Sequence, residues 1–163
     1  MRADYPTLAK TIAALCDGET DPIALMATLA CEIHHADKRF HWTGFYRHVA
    51  PKMLRIGPYQ GGHGCLSIPF SRGVCGACAR TGEAQIVADV TAFKGHIACA
   101  ASTRSELVLP VRDGSGNLIG VLDIDSDLPD AFTASDARAL QTILDTSFRT
   151  CPAPSFTQTE ARQ

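Results

Sequence analysis

The sequence predicts a single α+β domain: a central antiparallel sheet with helices packed on it. Three observations carry that expectation. Helical apolar stripes lie near both ends of the chain, the middle is a succession of short β-branched and aromatic runs, and Gly- or Pro-bearing turns join the strongest of these runs as hairpins. The 163 residues suit one domain, and a domain near this size buries roughly two-thirds of its unfolded surface.

Taken in order, Leu8, Ile12 and Leu15 have helical spacing within residues 5–16. The stretch DGETD breaks that helix. Thr20-Asp21-Pro22 then offers a capping oxygen ahead of an early proline, so a second helix carries Ile23, Met26, Leu29, Ala30 and Ile33 to about His35. FHWTGFYRHV and KMLRIGPYQ flank Ala50-Pro51 as a hairpin, and CLSIPF reads as a short strand. SRGVCGACARTGE opens on glycine punctuation and gives one short helix ending near Gly82, with Cys75 and Cys78 at or in its first turn. AQIVADV is another short strand, followed by a loop that holds Cys99. In SELVLPVRDGSGNLIGVLDIDS, two runs of about eight residues flank the turn from Asp113 to Asn117, the clearest hairpin in the chain. TASDARALQTILDTSF is a final helix with Thr133 and Ser135 as candidate caps and Leu140, Ile143 and Leu144 on its stripe. The domain is thus expected over 1–150, with helices in 5–36, the sheet and site loops in 40–126 and the last helix over 134–149. Residues 151–163 read as a flexible tail in which Cys151 is incidental.

Composition narrows the function classes. Hydrophobic residues make up 45% and charged residues 20%, as in ordinary globular chains. A net charge of −2 without a basic block gives nucleic acid no electrostatic support. The apolar runs fall short of the roughly 20 residues that cross a bilayer. The start MRADYPTLAK has no signal-peptide pattern, so a cytoplasmic location is expected. In that compartment the seven cysteines do not read as a paired framework, and their odd number fits one poorly.

Cys16 and Cys31 fall in helical stripes and read as core. Cys75 and Cys78 spell C-x-x-C, a weak motif here. No second C-x-x-C stands at zinc-finger distance, and the antiparallel context is wrong for a thioredoxin-like site. Cys99, in KGHIACAASTRSEL, sits in a loop beside His96; residue pattern alone leaves it open between a packed thiol and a nucleophile. Residues i and i+2 of a strand share a face roughly 7 Å apart. Asp123 and Asp125 therefore project together, with Ile119 and Val121 on their face and Leu118, Leu122 and Ile124 on the other. Glu106 shares a face with Val108 on the partner strand. Such acids are water-facing strand ends, a site for a hard cation, a pocket for an ammonium group, or a cluster that raises one carboxyl's pKa. Trp42 and Tyr46 share a strand face, as core or as pocket wall.

The ordered set WTGFY, GPYQG, the C-x9-C of CLSIPFSRGVCG, GHIAC, RSEL and GVLDIDS resembles the free methionine-(R)-sulfoxide reductases, stand-alone GAF-domain enzymes. The resemblance runs from about Phe40 to Phe148. It implies a GAF fold and reduction of free L-methionine (R)-S-oxide, an oxidative-stress product, to methionine. It makes Cys99 the catalytic cysteine, Cys75 the main resolving cysteine and Cys65 a further member of the disulfide relay. It places Trp42, Tyr46, Glu106, Asp123 and Asp125 in the substrate pocket, the acids holding the substrate and protonating its oxygen. It also implies a homodimer, no metal or resident cofactor, and thioredoxin as external reductant. The sequence departs from the family pattern at Lys94, Ala100 and the additional Cys78. Two other readings compete: a non-catalytic GAF module that senses a small ligand, for whose output domain this length leaves no room, and a zinc protein using Cys65, Cys75, Cys78 and Cys99.

Overall fold

The computed structural model of the chain describes residues 2–95, 97 and 101–152. Helices α1 (Tyr5–Leu15) and α2 (Pro22–Ala36) precede the strands β1 (Trp42–Ala50), β2 (Met53–Gln60) and β3 (Ser67–Pro69). Helix α3 (Gly73–Thr81), strand β4 (Gln85–Val87) and a single 3-10 turn (Val90–Ala92) follow. The hairpin β5 (Ser105–Arg112) and β6 (Leu118–Ser126) leads to α4 (Ala134–Ser147). The strands form one six-stranded sheet in the order β3-β2-β1-β6-β5-β4, and every neighbouring pair is antiparallel.

The helix starts follow from their caps. Asp21 accepts from the backbone N–H groups of Ile23 and Ala24, and Pro22 takes the first helical position, where its missing N–H costs nothing. Thr133, rather than Ser135, caps α4 and forms a reciprocal box with Asp136. Asp136 does a second job. Together with Asp37 it receives the Arg39 guanidinium, and the Tyr5 hydroxyl donates to it at 2.7 Å. Burial alone would raise the Asp136 pKa, but the bonds from Arg39, Thr133 and Tyr5 hold it well below the usual carboxylate range. This network ties α1 and α4 to the segment that leads into β1.

Helices α1, α2 and α4 cover one face of the sheet, where Phe45, Leu107, Leu109, Leu122 and Ile124 pack against Leu25, Leu29, Ile33, Leu140 and Phe148. On the other face α3 and its flanking loops cover Trp42, Tyr46, Val108 and Val121. Both faces of β5 and β6 are therefore dry, which is why these strands read as nearly unbroken apolar runs instead of alternating ones.

Three expectations need correction. Ile119 does not share the face of Asp123: pairing steps from Val111–Gly120 to Arg112–Leu118, and this bulge turns Ile119 into the helix-covered core while Leu118 packs on the opposite face. Gly120 sits where the chains touch, since a Cβ there would lie 2.4 Å from the Tyr46 carbonyl oxygen. Cys31 is partly exposed rather than core and lies beside the buried Leu29–Ala30–Ile33 stripe, with its sulfur 3.9 Å from His35 Nδ1, whereas Cys16, at the C-terminus of α1, is only partly buried but packs against the larger core as expected. Cys151 is not incidental but packs into the larger core. Residues 153–163 of the expected tail lie outside the described residues.

Candidate active site

The site is a consequence of strand register. Across the three central strands, Trp42 of β1 stands opposite Asp125 of β6, which stands opposite Glu106 of β5. In the adjacent row Gly44 faces Asp123, and Asp123 faces Val108. Two residues further along, Tyr46 faces Val121. Alternation along each strand sends these side chains to the face under α3. The sequence-predicted residues Trp42, Tyr46, Glu106, Asp123 and Asp125 thereby meet in one pocket, joined by Cys75 from the first turn of α3.

The pocket is a narrow cavity of about 30 Å³, where a single water needs roughly 10–15 Å³ by the same measure. Trp42 forms one wall, its ring stacked between Tyr59 at 5.4 Å and Tyr46 at 5.9 Å. The indole can lie there because residue 44 has no side chain: a Cβ at Gly44 would sit 2.4 Å from Trp42 Cη2 and 2.5 Å from Tyr59 Cβ. Trp42 Nε1 donates to the Gly62 carbonyl at 2.9 Å, holding the loop that brings His63 and Gly64 to the rim.

The acids carry the unusual electrostatics. Glu106 and Asp123 are buried and Asp125 is partly so. Burial raises all three pKa values well above the ordinary carboxylate range, and the charge of Asp123 raises those of Glu106 and Asp125 further. Burial raises Asp123 to about 7, while hydrogen bonds from the Cys75 thiol and the Glu106 carboxyl favour its charged form and oppose the rise. Burial and mutual repulsion therefore favour protonated carboxyls in this cluster more than in isolated acids. Asp123 Oδ1 is nonetheless buried without a hydrogen-bond partner among the described residues. The arrangement can bind a cationic group and donate a proton in one small volume.

Among the cysteines, Cys65 is disulfide-bonded, and Cys75 and Cys78 are free and buried. Burial pushes the Cys75 thiol well above its ordinary pKa, and the neighbouring acids push it further; burial pushes Cys78 up to about 12. Among the described residues the four-cysteine zinc arrangement finds no support: Cys65 stands in a disulfide, where its sulfur offers no thiolate, and Cys78 packs among apolar neighbours. Cys99, His96 and Ala100 lie outside the described residues, while Lys94 is exposed. The sequence reading did not find His63, Gly64, Ile68, Ile97 and Thr103, which also line the pocket. His63 stands two residues after the GPYQG motif, and that proximity was the available signal.

Comparison with known proteins identifies the family. The GAF domain family matches residues 23–146. Protein YtsP of Bacillus subtilis is 41% identical over 144 residues, covering 88% of each chain. The free methionine-R-sulfoxide reductase of Escherichia coli is 38% identical over 140 residues, 86% of this chain and 84% of that one. The chain belongs to the free methionine-R-sulfoxide reductase family. Among solved structures, the free methionine-R-sulfoxide reductase of Neisseria meningitidis in complex with its substrate has a TM-score of 0.82 at 36% identity, covering 95% of this chain and 91% of that one. The reductase fold is thus a GAF domain with its pocket on the α3 side of the sheet. Among the described residues, no helix is long and apolar enough to cross a membrane.

For this reductase Gly44→Ala is expected to displace the indole and raise KM at least about tenfold, with an overpacking cost of about 1–3 kcal/mol. Steady-state kinetics together with thermal unfolding check it; an unchanged KM would show that the Trp42 wall is not fixed by Gly44.

Proposed function

We propose that the chain reduces free methionine-(R)-sulfoxide to methionine through a cysteine sulfenic acid and an intramolecular disulfide that thioredoxin reopens. The observation that carries this reading is the acid-lined pocket beneath Trp42, built by residues Glu106, Asp123 and Asp125 in a chain of this reductase family. The ionised carboxylate of the cluster suits the ammonium group of a free amino acid, and a chain-embedded residue would have no such group to offer. Trp42 and Tyr46 give the thioether end an apolar wall.

In this reading the Cys99 thiolate attacks the sulfoxide sulfur while a protonated carboxyl of the cluster donates its proton to the oxygen. The sulfur–oxygen bond breaks, methionine leaves with two electrons gained, and Cys99 keeps the oxygen as a sulfenic acid. A second thiol then attacks the Cys99 sulfur, water departs, and a disulfide remains for an external dithiol to reduce.

The resemblance made Cys75 the main resolving residue. The geometry favours Cys65 for that role, because Cys65 already stands in a disulfide while Cys75 is a free, buried thiol whose pKa burial and the acids raise. A thiol so held is a poor nucleophile. Cys65→Ser is accordingly expected to complete one turnover without reductant and then stop, whereas Cys75→Ser keeps cycling with thioredoxin.

The test is an assay on the separated R and S sulfoxides of free methionine, with oxidised methionine in a peptide as a third substrate and thioredoxin as reductant. Turnover of the free R form alone is expected. Equal turnover of the peptide would refute the amino-acid pocket, and cycling by Cys65→Ser would return the resolving role to Cys75.

A further inference from the structure

Cys75, Glu106 and Asp123 bring one ligand atom each, a thiol sulfur and two carboxylate oxygens, within 4.8 Å of one another. All three residues are buried and all line the pocket. A second observation is independent of that spacing. Asp123 is only 6% exposed, and its Oδ1 has no hydrogen-bond partner among the described residues. A buried acceptor left without a donor costs about 1–3 kcal/mol, so the pocket is poised for something positive at that oxygen.

We propose that the reduced protein binds one zinc ion between Cys75 Sγ and the carboxylates of Glu106 and Asp123, with the fourth position open toward the pocket. The donor chemistry selects the ion. A thiolate with two carboxylates suits zinc, whereas calcium and magnesium take oxygen sets. Around tetrahedral zinc, with bonds of about 2.0–2.3 Å, ligand atoms lie roughly 3.5 Å apart. The present set therefore closes on the ion by side-chain rotations of about an ångström. The framework permits this, since Glu106 and Asp123 stand on adjacent strands and Cys75 comes down from α3.

Zinc at this position occupies the carboxylates that the substrate's ammonium group needs. This second half rests on the function proposed above: zinc is a competitive inhibitor of the sulfoxide reductase, reversible by chelation. It differs from the four-cysteine arrangement in using only one cysteine.

The test uses the full chain, free of tags and kept reduced, titrated with Zn2+ against a chromophoric chelator, and separately with Co2+ to read a thiolate-to-metal absorption band. One ion per chain is expected, with the cobalt band present. Cys75→Ser and Cys75→Ala should each weaken zinc at least tenfold and remove the band, while circular dichroism stays native. Cys78→Ser should bind as the parent does, as should Cys31→Ser, which removes the thiol beside His35. Zinc should raise the apparent KM for free methionine-(R)-sulfoxide and leave kcat unchanged. Binding that survives loss of Cys75, or absence of binding, overturns the site; zinc that lowers kcat without affecting KM overturns the competition. Cys75-dependent binding in a protein that reduces no sulfoxide would leave the ion site standing and refute the proposed function instead.

Discussion

Cys99→Ser is expected to abolish reduction of free methionine-(R)-sulfoxide, bringing the rate down to that of a blank without protein. The described residues make this a sharp test, because they offer one rival nucleophile in the pocket, Cys75. Cys75 is poorly suited to attack. Its thiol is buried, hydrogen-bonds to Asp123, and faces the negative charge of that carboxylate and its neighbours, all of which favour the protonated form. Attack on sulfur needs a thiolate, so the burden falls on Cys99 of the GHIAC motif, even though a serine there keeps nearly the same volume. Single-turnover assays of methionine release measure the step directly. Full release by Cys99→Ser together with none by Cys75→Ser would exchange the two roles.

The second large effect is that of Asp123→Asn, expected to cost roughly 10²–10⁴ in kcat/KM, the range for loss of acid–base participation. The same replacement should change the pH dependence of stability in a definite direction. Asp123 has an ordinary value of 3.8 in the unfolded chain and is raised to about 7 in the fold. Between those values the folded protein holds a proton that the unfolded chain has released, so stability falls as pH rises through the window and levels off above it. Asparagine cannot ionise and escapes this loss. Relative to the parent, Asp123→Asn should therefore gain stability from pH 4 to pH 8, visible as a shift in Tm at roughly 2–4 °C per kcal/mol. A Tm difference independent of pH would show that Asp123 is not the group whose proton is displaced. The cluster thus lowers stability at neutral pH, a cost of the kind met at functional sites.

Much of this was legible in the chain because the informative patterns are local. The Asp21-Pro22 start, the Ala50-Pro51 hairpin and the glycine-rich turn after Asp113 depend on a few neighbouring residues, and each produced the element expected. Period-two alternation also put Asp123 with Asp125, and Trp42 with Tyr46, on shared faces. The failures are equally physical. Ile119 changed faces because a bulge adds a residue to one strand, and no spacing rule announces a bulge. Cys31 lies one step off a stripe whose edge periodicity cannot fix, and Cys151 reaches the core through a tertiary contact beyond the last helix. The rim residues His63, Ile97 and Thr103 come from loops far apart in sequence, so only the fold brings them together. The raised carboxyl pKa values belong to burial under α3, a property of the assembled layers rather than of the LDIDS strand.

The stacked wall of the pocket has a spectroscopic consequence. Trp42 is the single tryptophan of the chain, and it lies between Tyr59 and Tyr46 with its ring N–H tied to the Gly62 carbonyl. All indole emission therefore originates at the wall of one pocket, beside Asp123 and Asp125. The reductase thus carries a built-in fluorophore whose emission is expected to change on occupancy of the pocket, without a label and without a coupled assay.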